Sequence, residues 1–166
     1  MNDKNYNNYT NHVMEIGKSF NFKPIDIDDV LYTFPEIIYK FRTAITNPAI
    51  CNIFLGGGKY GDPRFPGMGF CGIVSYSLKI LFPQLDIDST ADMSHVWTTY
   101  QATILDATGD QFILEQDLKN AYQESPKKKA ALFKRSKDYV DARQHNMLFG
   151  DANMFISYVF GWKEMG

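Results

Sequence analysis

Three residue types that together perform acyl chemistry stand in order along one stretch of this chain: Cys71 in Gly69-Phe70-Cys71-Gly72, His95 in Ser94-His95-Val96-Trp97, and Asp106 in Ile104-Leu105-Asp106-Ala107. A thiol is mostly protonated near neutrality and becomes a nucleophile when a base or a cation stands beside it. An imidazole can take and return the thiol proton, and a carboxylate can fix which ring nitrogen carries hydrogen. The set predicts attack of a thiolate on an acyl or amide carbon, with Cys71 as nucleophile, His95 as general base and acid, and Asp106 orienting His95.

Such a site needs a helix start under the thiol and a shared sheet face under the other two. Residues 56–69 hold six glycines and two prolines, a density that predicts a loop delivering Cys71 to its place. Residues 71–82 follow with Ile73, Val74, Leu78, Leu81 and Phe82 on one wide apolar face, and Pro83 ends the segment; this is a helix pattern. The helix N-terminus favours negative charge on Cys71, and its N–H groups, Gly72 among them, can receive an oxyanion. Val96–Tyr100 and Thr103–Leu105 are rich in branched and aromatic residues and predict two strands. A two-residue turn at Tyr100-Gln101 would set His95 directly opposite Asp106, on one face and within hydrogen-bond reach.

Elsewhere the spacing of Tyr6, Tyr9, Val13, Ile16 and Phe20 predicts a helix over residues 5–20. Asp26-Ile27-Asp28-Asp29 is expected to cap a short helix, and Pro35 to start another that runs to about Ile45. Asn47-Pro48 marks a turn, and residues 50–55 suit either a strand or a helix end. Helices are expected over 117–122 and from Pro126 to about His145, the latter carrying Lys127, Lys128, Lys129, Lys134, Arg135 and Lys137 on a solvated face. A last apolar segment runs from Ala152 to Phe160.

The order Cys, His, Asp on a helix start and two adjacent strands resembles papain-like thiol enzymes of the circularly permuted and transglutaminase-like kind. Gly58-Lys59-Tyr60-Gly61 through Gly69-Phe70-Cys71-Gly72-Ile73-Val74-Ser75-Tyr76 resembles the nucleophile segment of NlpC/P60 cell-wall peptidases. His95-Val96-Trp97 with Leu105-Asp106-Ala107-Thr108-Gly109-Asp110-Gln111-Phe112 is similar to transglutaminase-like and arylamine-acetyltransferase-like proteins. The chain departs from NlpC/P60 enzymes at Phe70, where those usually carry Asp, and in how soon its histidine follows the cysteine. The resemblance covers residues 56–112. It implies an α+β, papain-like fold in which a nucleophile helix packs on a small antiparallel sheet, with extra helices at both ends. It also implies a thiol hydrolase or acyltransferase, an amidase or peptidase, acting on a protein side chain or a peptidoglycan peptide.

At 166 residues the chain predicts one domain, 1–166, with a helical N-terminal part (1–50), a catalytic core (56–112) and a helical C-terminal part (115–166). Apolar residues make up 45% and charged residues 22%, a globular composition. A formal charge of −2 gives no electrostatic case for nucleic acid. No run is long and apolar enough for a membrane span, and Met1-Asn2-Asp3-Lys4-Asn5-Tyr6 has no signal-peptide core. The expectation is a cytoplasmic protein, or one exported by a route not encoded in a signal peptide, with a protein or peptide substrate as partner. Cys51 and Cys71 make no disulfide framework, which suits a reducing compartment.

No cofactor is expected, and Cys51, Cys71, His12, His95 and His145 lack the spacing of a zinc site. Gly56-Gly57-Gly58-Lys59 lacks the flanking residues of a phosphate loop. Cys51 reads as a small core hydrophobe. Asp110 competes with Asp106 and is expected to cap or brace the loop, while Gln111 and Phe112 are expected to pack onto the sheet. Asn52 and Tyr60 are the upstream candidates for an oxyanion donor, and Trp97 stands either on the cleft wall or as a core aromatic. The alternative function is a non-catalytic binding or inhibitory module on the same scaffold.

Overall fold

The computed structural model describes residues 3–55, 70–90, 95–112, 115–123 and 149–165. The chain is α+β. Helix α1 (Asp3–Ser19) lays Tyr6, Thr10 and Val13 inward, the face that its three-and-four spacing anticipates. It packs on α2 (Phe34–Ala44), whose start is dictated locally. Thr33 accepts from the Glu36 amide while the Glu36 carboxylate accepts from the Thr33 amide, and Pro35 fills the first turn, a reciprocal cap. Phe34, Ile37, Ile38 and Phe41 then enter the core.

Between these helices the structure corrects one expectation. Asp26–Asp29 caps no helix: β1 (Ile25–Ile27) and β2 (Val30–Tyr32) form a hairpin closed by the pair Ile27–Val30. Asp28 and Asp29 take φ values of 51° and 67°, the left-handed turn that matches strand twist. Aspartate tolerates this conformation, and the Asp26 carboxylate accepts from the Asp29 amide at 2.9 Å. Residues 50–55 resolve to helix, in α3 (Pro48–Leu55), with Asn47 Oδ1 accepting from the Ala49 amide.

Helix α4 (Cys71–Leu81) is the central element: every residue from Gly72 to Leu78 is buried. It ends because Pro83 restricts the residue before it; Phe82 leaves the helix at φ −128°, ψ 82°. One side of α4 meets a three-stranded antiparallel sheet of order β3-β4-β5, with β3 Asp86–Ser89, β4 Val96–Tyr100 and β5 Thr103–Leu105. Ser75 Oγ donates to the Val96 carbonyl across that contact. Another side meets α6 (Phe149–Met165), where Ser77 Oγ donates to the Ala152 carbonyl and Phe155 is fully buried. Helix α5 (Glu115–Tyr122) lies between sheet and C-terminal helix in the sequence and turns Leu118, Ala121 and Tyr122 partly inward.

The turn between β4 and β5 is Gln101-Ala102, not Tyr100-Gln101. Both residues have positive φ (48° and 67°), and Tyr100 pairs with Thr103. The ladder is therefore offset by two residues from the expected one. An offset of two keeps every side chain on its own face, so His95 and Asp106 still share one as diagonal neighbours. The expected helix from Pro126 to His145 and the loop 56–69 lie outside the described residues. Among the described residues, no helix is long and apolar enough to cross a membrane.

Candidate active site

Cys71 is the first residue of α4 and is half-buried. The first hydrogen bond of the helix runs from the Val74 amide to the Phe70 carbonyl. The amides of Cys71, Gly72 and Ile73 thus have no acceptor within the helix and present partial positive charge. Gly72 itself is buried.

His95 is only 1% exposed and is fixed at both backbone ends by Thr90. Its amide donates to Thr90 Oγ1 at 3.1 Å, and its carbonyl accepts from the Thr90 amide at 3.0 Å. The ring is held at both nitrogens as well. Nε2 lies 2.5 Å from Asp106 Oδ2, and Nδ1 lies 2.7 Å from the Gln111 side-chain amide. Phe112 meets the ring edge-on at 4.9 Å and Trp97 lies 5.6 Å away.

Burial, the strongest influence, pulls the imidazole toward neutrality; hydrogen bonds to Asp106 and Cys71, with the charges of both, overcome it and raise the ring to about 9. The balance favours the protonated ring, coupled to a thiol at the start of α4 and to the carboxylate that follows β5.

Asp106 is buried and accepts several hydrogen bonds. Oδ2 accepts from His95 and from the Tyr122 hydroxyl at 2.8 Å, Oδ1 accepts from the Thr108 amide at 3.2 Å, and its carbonyl accepts from the Tyr9 hydroxyl at 2.7 Å. Burial and then the Asp106 charge hold both phenols well above their ordinary pKa, so they remain donors. Gly109 makes this approach possible: a Cβ there would stand 2.2 Å from the Tyr9 hydroxyl and 3.2 Å from that of Tyr122. A Gly109→Ala variant should lose about 1–3 kcal/mol of stability by urea unfolding. Adding Tyr9→Phe, which removes the clashing oxygen, should return part of it; no loss in the single variant would refute the contact.

The segment 106–111 is anchored by a residue from the far end of the chain. Arg42 on α2 is fully buried, and all five of its N–H donors are satisfied. Two go to Asp110 (2.8 and 2.7 Å), one to the Ala107 carbonyl (2.6 Å), one to the Tyr6 carbonyl (3.1 Å) and one to Thr10 Oγ1 (2.7 Å). The guanidinium also stacks 3.9 Å from the Tyr6 ring centroid. Burial raises the Asp110 carboxyl above its usual range while Arg42 draws it back. Asp110 is thus the brace of the loop, and Asp106 is the residue on His95.

The structure brings together Cys71, His95 and Asp106. Trp97 lies under His95 and against Tyr122, 2% exposed, its Nε1 without a partner among the described residues; it is a buried support and not an open cleft wall. Asn52 is exposed on α3 and takes no part in the hydrogen bonds around His95. Tyr60 lies outside the described residues. Gln111 does not merely pack onto the sheet: its amide meets the His95 ring. The roles of Arg42, Tyr9 and Tyr122 had no sequence signal, since each is defined by a partner distant in the chain.

A pocket of about 540 Å³ lies on Asp106 and Tyr122 between α1, the 109–112 segment and α5, with Tyr9, His12 and Glu115 among its walls. Neither Cys71 nor His95 lines it. No group of three or more metal-ligating side chains is clustered among the described residues. No protein-family model, curated protein or solved structure matches this chain.

Proposed function

We propose that this protein is a thiol-dependent hydrolase or acyltransferase with a papain-like arrangement, acting on an amide bond of a protein side chain or peptide. The observation that carries the reading is the coupling of His95 at once to the Cys71 thiol at a helix start and to the buried Asp106 carboxylate. Cys71, as thiolate, attacks the amide carbon, and its electron pair forms the C–S bond while the carbonyl oxygen takes the negative charge. The amides of the first turn of α4 face that charge. On collapse the C–N bond breaks, protonated His95 gives its proton to the departing amine, and a thioester remains. Water or a second amine, deprotonated by His95, then attacks the thioester and frees Cys71. Asp106 holds Nε2 of the ring and stabilises the imidazolium.

The test is acylation by p-nitrophenyl acetate with peptide mass spectrometry. The expected result is a burst of about one equivalent of p-nitrophenol with the acetyl group on Cys71. Cys51 serves as internal control: burial raises its thiol, and it lies 3.4 Å from the Ile45 carbonyl. Equal labelling of both cysteines, or the same burst from Cys71→Ala, overturns the proposal.

A further inference from the structure

Gln111 sits against the ring that the catalytic reading, on which this inference rests, uses to carry the proton. Asp106 holds Nε2 of His95, and the Gln111 carboxamide lies 2.7 Å from Nδ1. Gln111 is 9% exposed, and its Oε1 has no partner among the described residues. Its backbone is set by the 3-10 turn Gly109–Gln111, with its amide on the Thr108 carbonyl at 3.1 Å, directly after the Arg42-bound Asp110.

A carboxamide has two orientations of the same shape, related by half a turn, and which atom faces a partner is settled by the partner's hydrogens. With Nε2 toward the ring, the amide donates to a bare Nδ1 and leaves Oε1 buried and unpaired. With His95 protonated, two N–H groups would oppose each other at 2.7 Å, a repulsive arrangement. Half a turn of the amide replaces it with Nδ1–H donating to Oε1. We propose that Gln111 is a positioning residue that holds His95 in its protonated form through Oε1 and fixes the ring's rotation.

The other described groups facing the ring come from several elements. Cys71 comes from α4, Asp106 follows β5, Tyr122 on α5 and Tyr9 on α1 reach it only through Asp106, and Trp97 and Phe112 are apolar neighbours. The charges of Asp110 and Arg42 are paired with each other. Among the described residues, Gln111 is the neutral polar side chain at Nδ1.

The experiment is ring-nitrogen NMR of the full chain labelled with 15N-histidine, His95 being assigned from His95→Ala. Loss of a hydrogen bond to a charged donor corresponds to about one pH unit. The His95 midpoint should fall by about that amount in Gln111→Met and rise in Gln111→Glu, with Nδ1 the site that loses its proton first in the former. An unchanged or raised midpoint in Gln111→Met overturns the inference, as does an unchanged or lowered one in Gln111→Glu, a variant close enough in shape to serve if the first does not fold. The readout does not depend on activity. Loss of His95 dependence in Cys71 reactivity would defeat the catalytic reading while these midpoints still decide the role of Gln111.

Discussion

Replacing His95 with alanine should slow alkylation of Cys71 by iodoacetamide at pH 7 about ten-fold. An isolated thiol of pKa roughly 8.5 is about 3% thiolate at that pH, so full ionisation beside an imidazolium gains at most about 30-fold. A less basic thiolate is also a weaker nucleophile, with a Brønsted coefficient of about 0.4–0.5, which removes part of the gain. The pH dependence follows from the direction of the shift. The ring is raised to about 9, so the cation persists through neutrality and is lost as pH rises through that value. Wild type and variant should converge above it. Equal rates at pH 7, measured by mass spectrometry on the Cys71 peptide, would show that the two side chains do not act as a pair.

The largest loss of stability is expected at Arg42. Arg42→Met leaves the Asp110 carboxylate, 8% exposed at its side chain, without a counter-charge. It also strips hydrogen bonds from the carbonyls of Tyr6 and Ala107. Breaking one half of a buried ion pair costs about 3–5 kcal/mol, which urea unfolding resolves easily. Arg42→Lys should recover little, because an ammonium offers three donors without the planar fork that reaches Asp110 and Ala107 together. Arg42→Met combined with Asp110→Leu should recover much of the loss, since an apolar pair needs no desolvated charge. A single-variant loss under about 1 kcal/mol, the scale of a surface ion pair, would contradict the arrangement.

How far this was legible in the sequence depends on how local each signal is. The helix Cys71–Leu81 and the strands Val96–Tyr100 and Thr103–Leu105 follow from glycines before, a proline after, and branched residues between. The meeting of His95 and Asp106 was anticipated through the wrong register, and succeeds because a slip of two preserves the face. The Asp28-Asp29 hairpin was misread because neither residue is a glycine, and aspartate serves caps and left-handed turns alike. Strand β3 carries no sequence signal because Asp86-Ile87-Asp88-Ser89 is too polar to mark a strand; its pairing with β4 defines it. Arg42 reads as a solvated helix residue until Asp110, 68 positions on, is known to face it. Gln111 acquires its role from a 3-10 turn that orients one amide.

The contacts of Arg42 and Gly109 bear on how such a chain can vary through descent. Positions 42 and 110 share one ion pair, and positions 9 and 109 share one volume in which a hydroxyl excludes a Cβ. A sequence that loses the arginine while keeping the aspartate, or gains a side chain at 109 while keeping the tyrosine, carries a defect that its partner position must repair. Descendants of this fold should therefore change these sites two at a time. Independent drift at 42 and 110 across related sequences would mean that the pair is dispensable. The segment around His95 is not a cassette that recombination can transplant: it is inherited together with the first two helices or not at all.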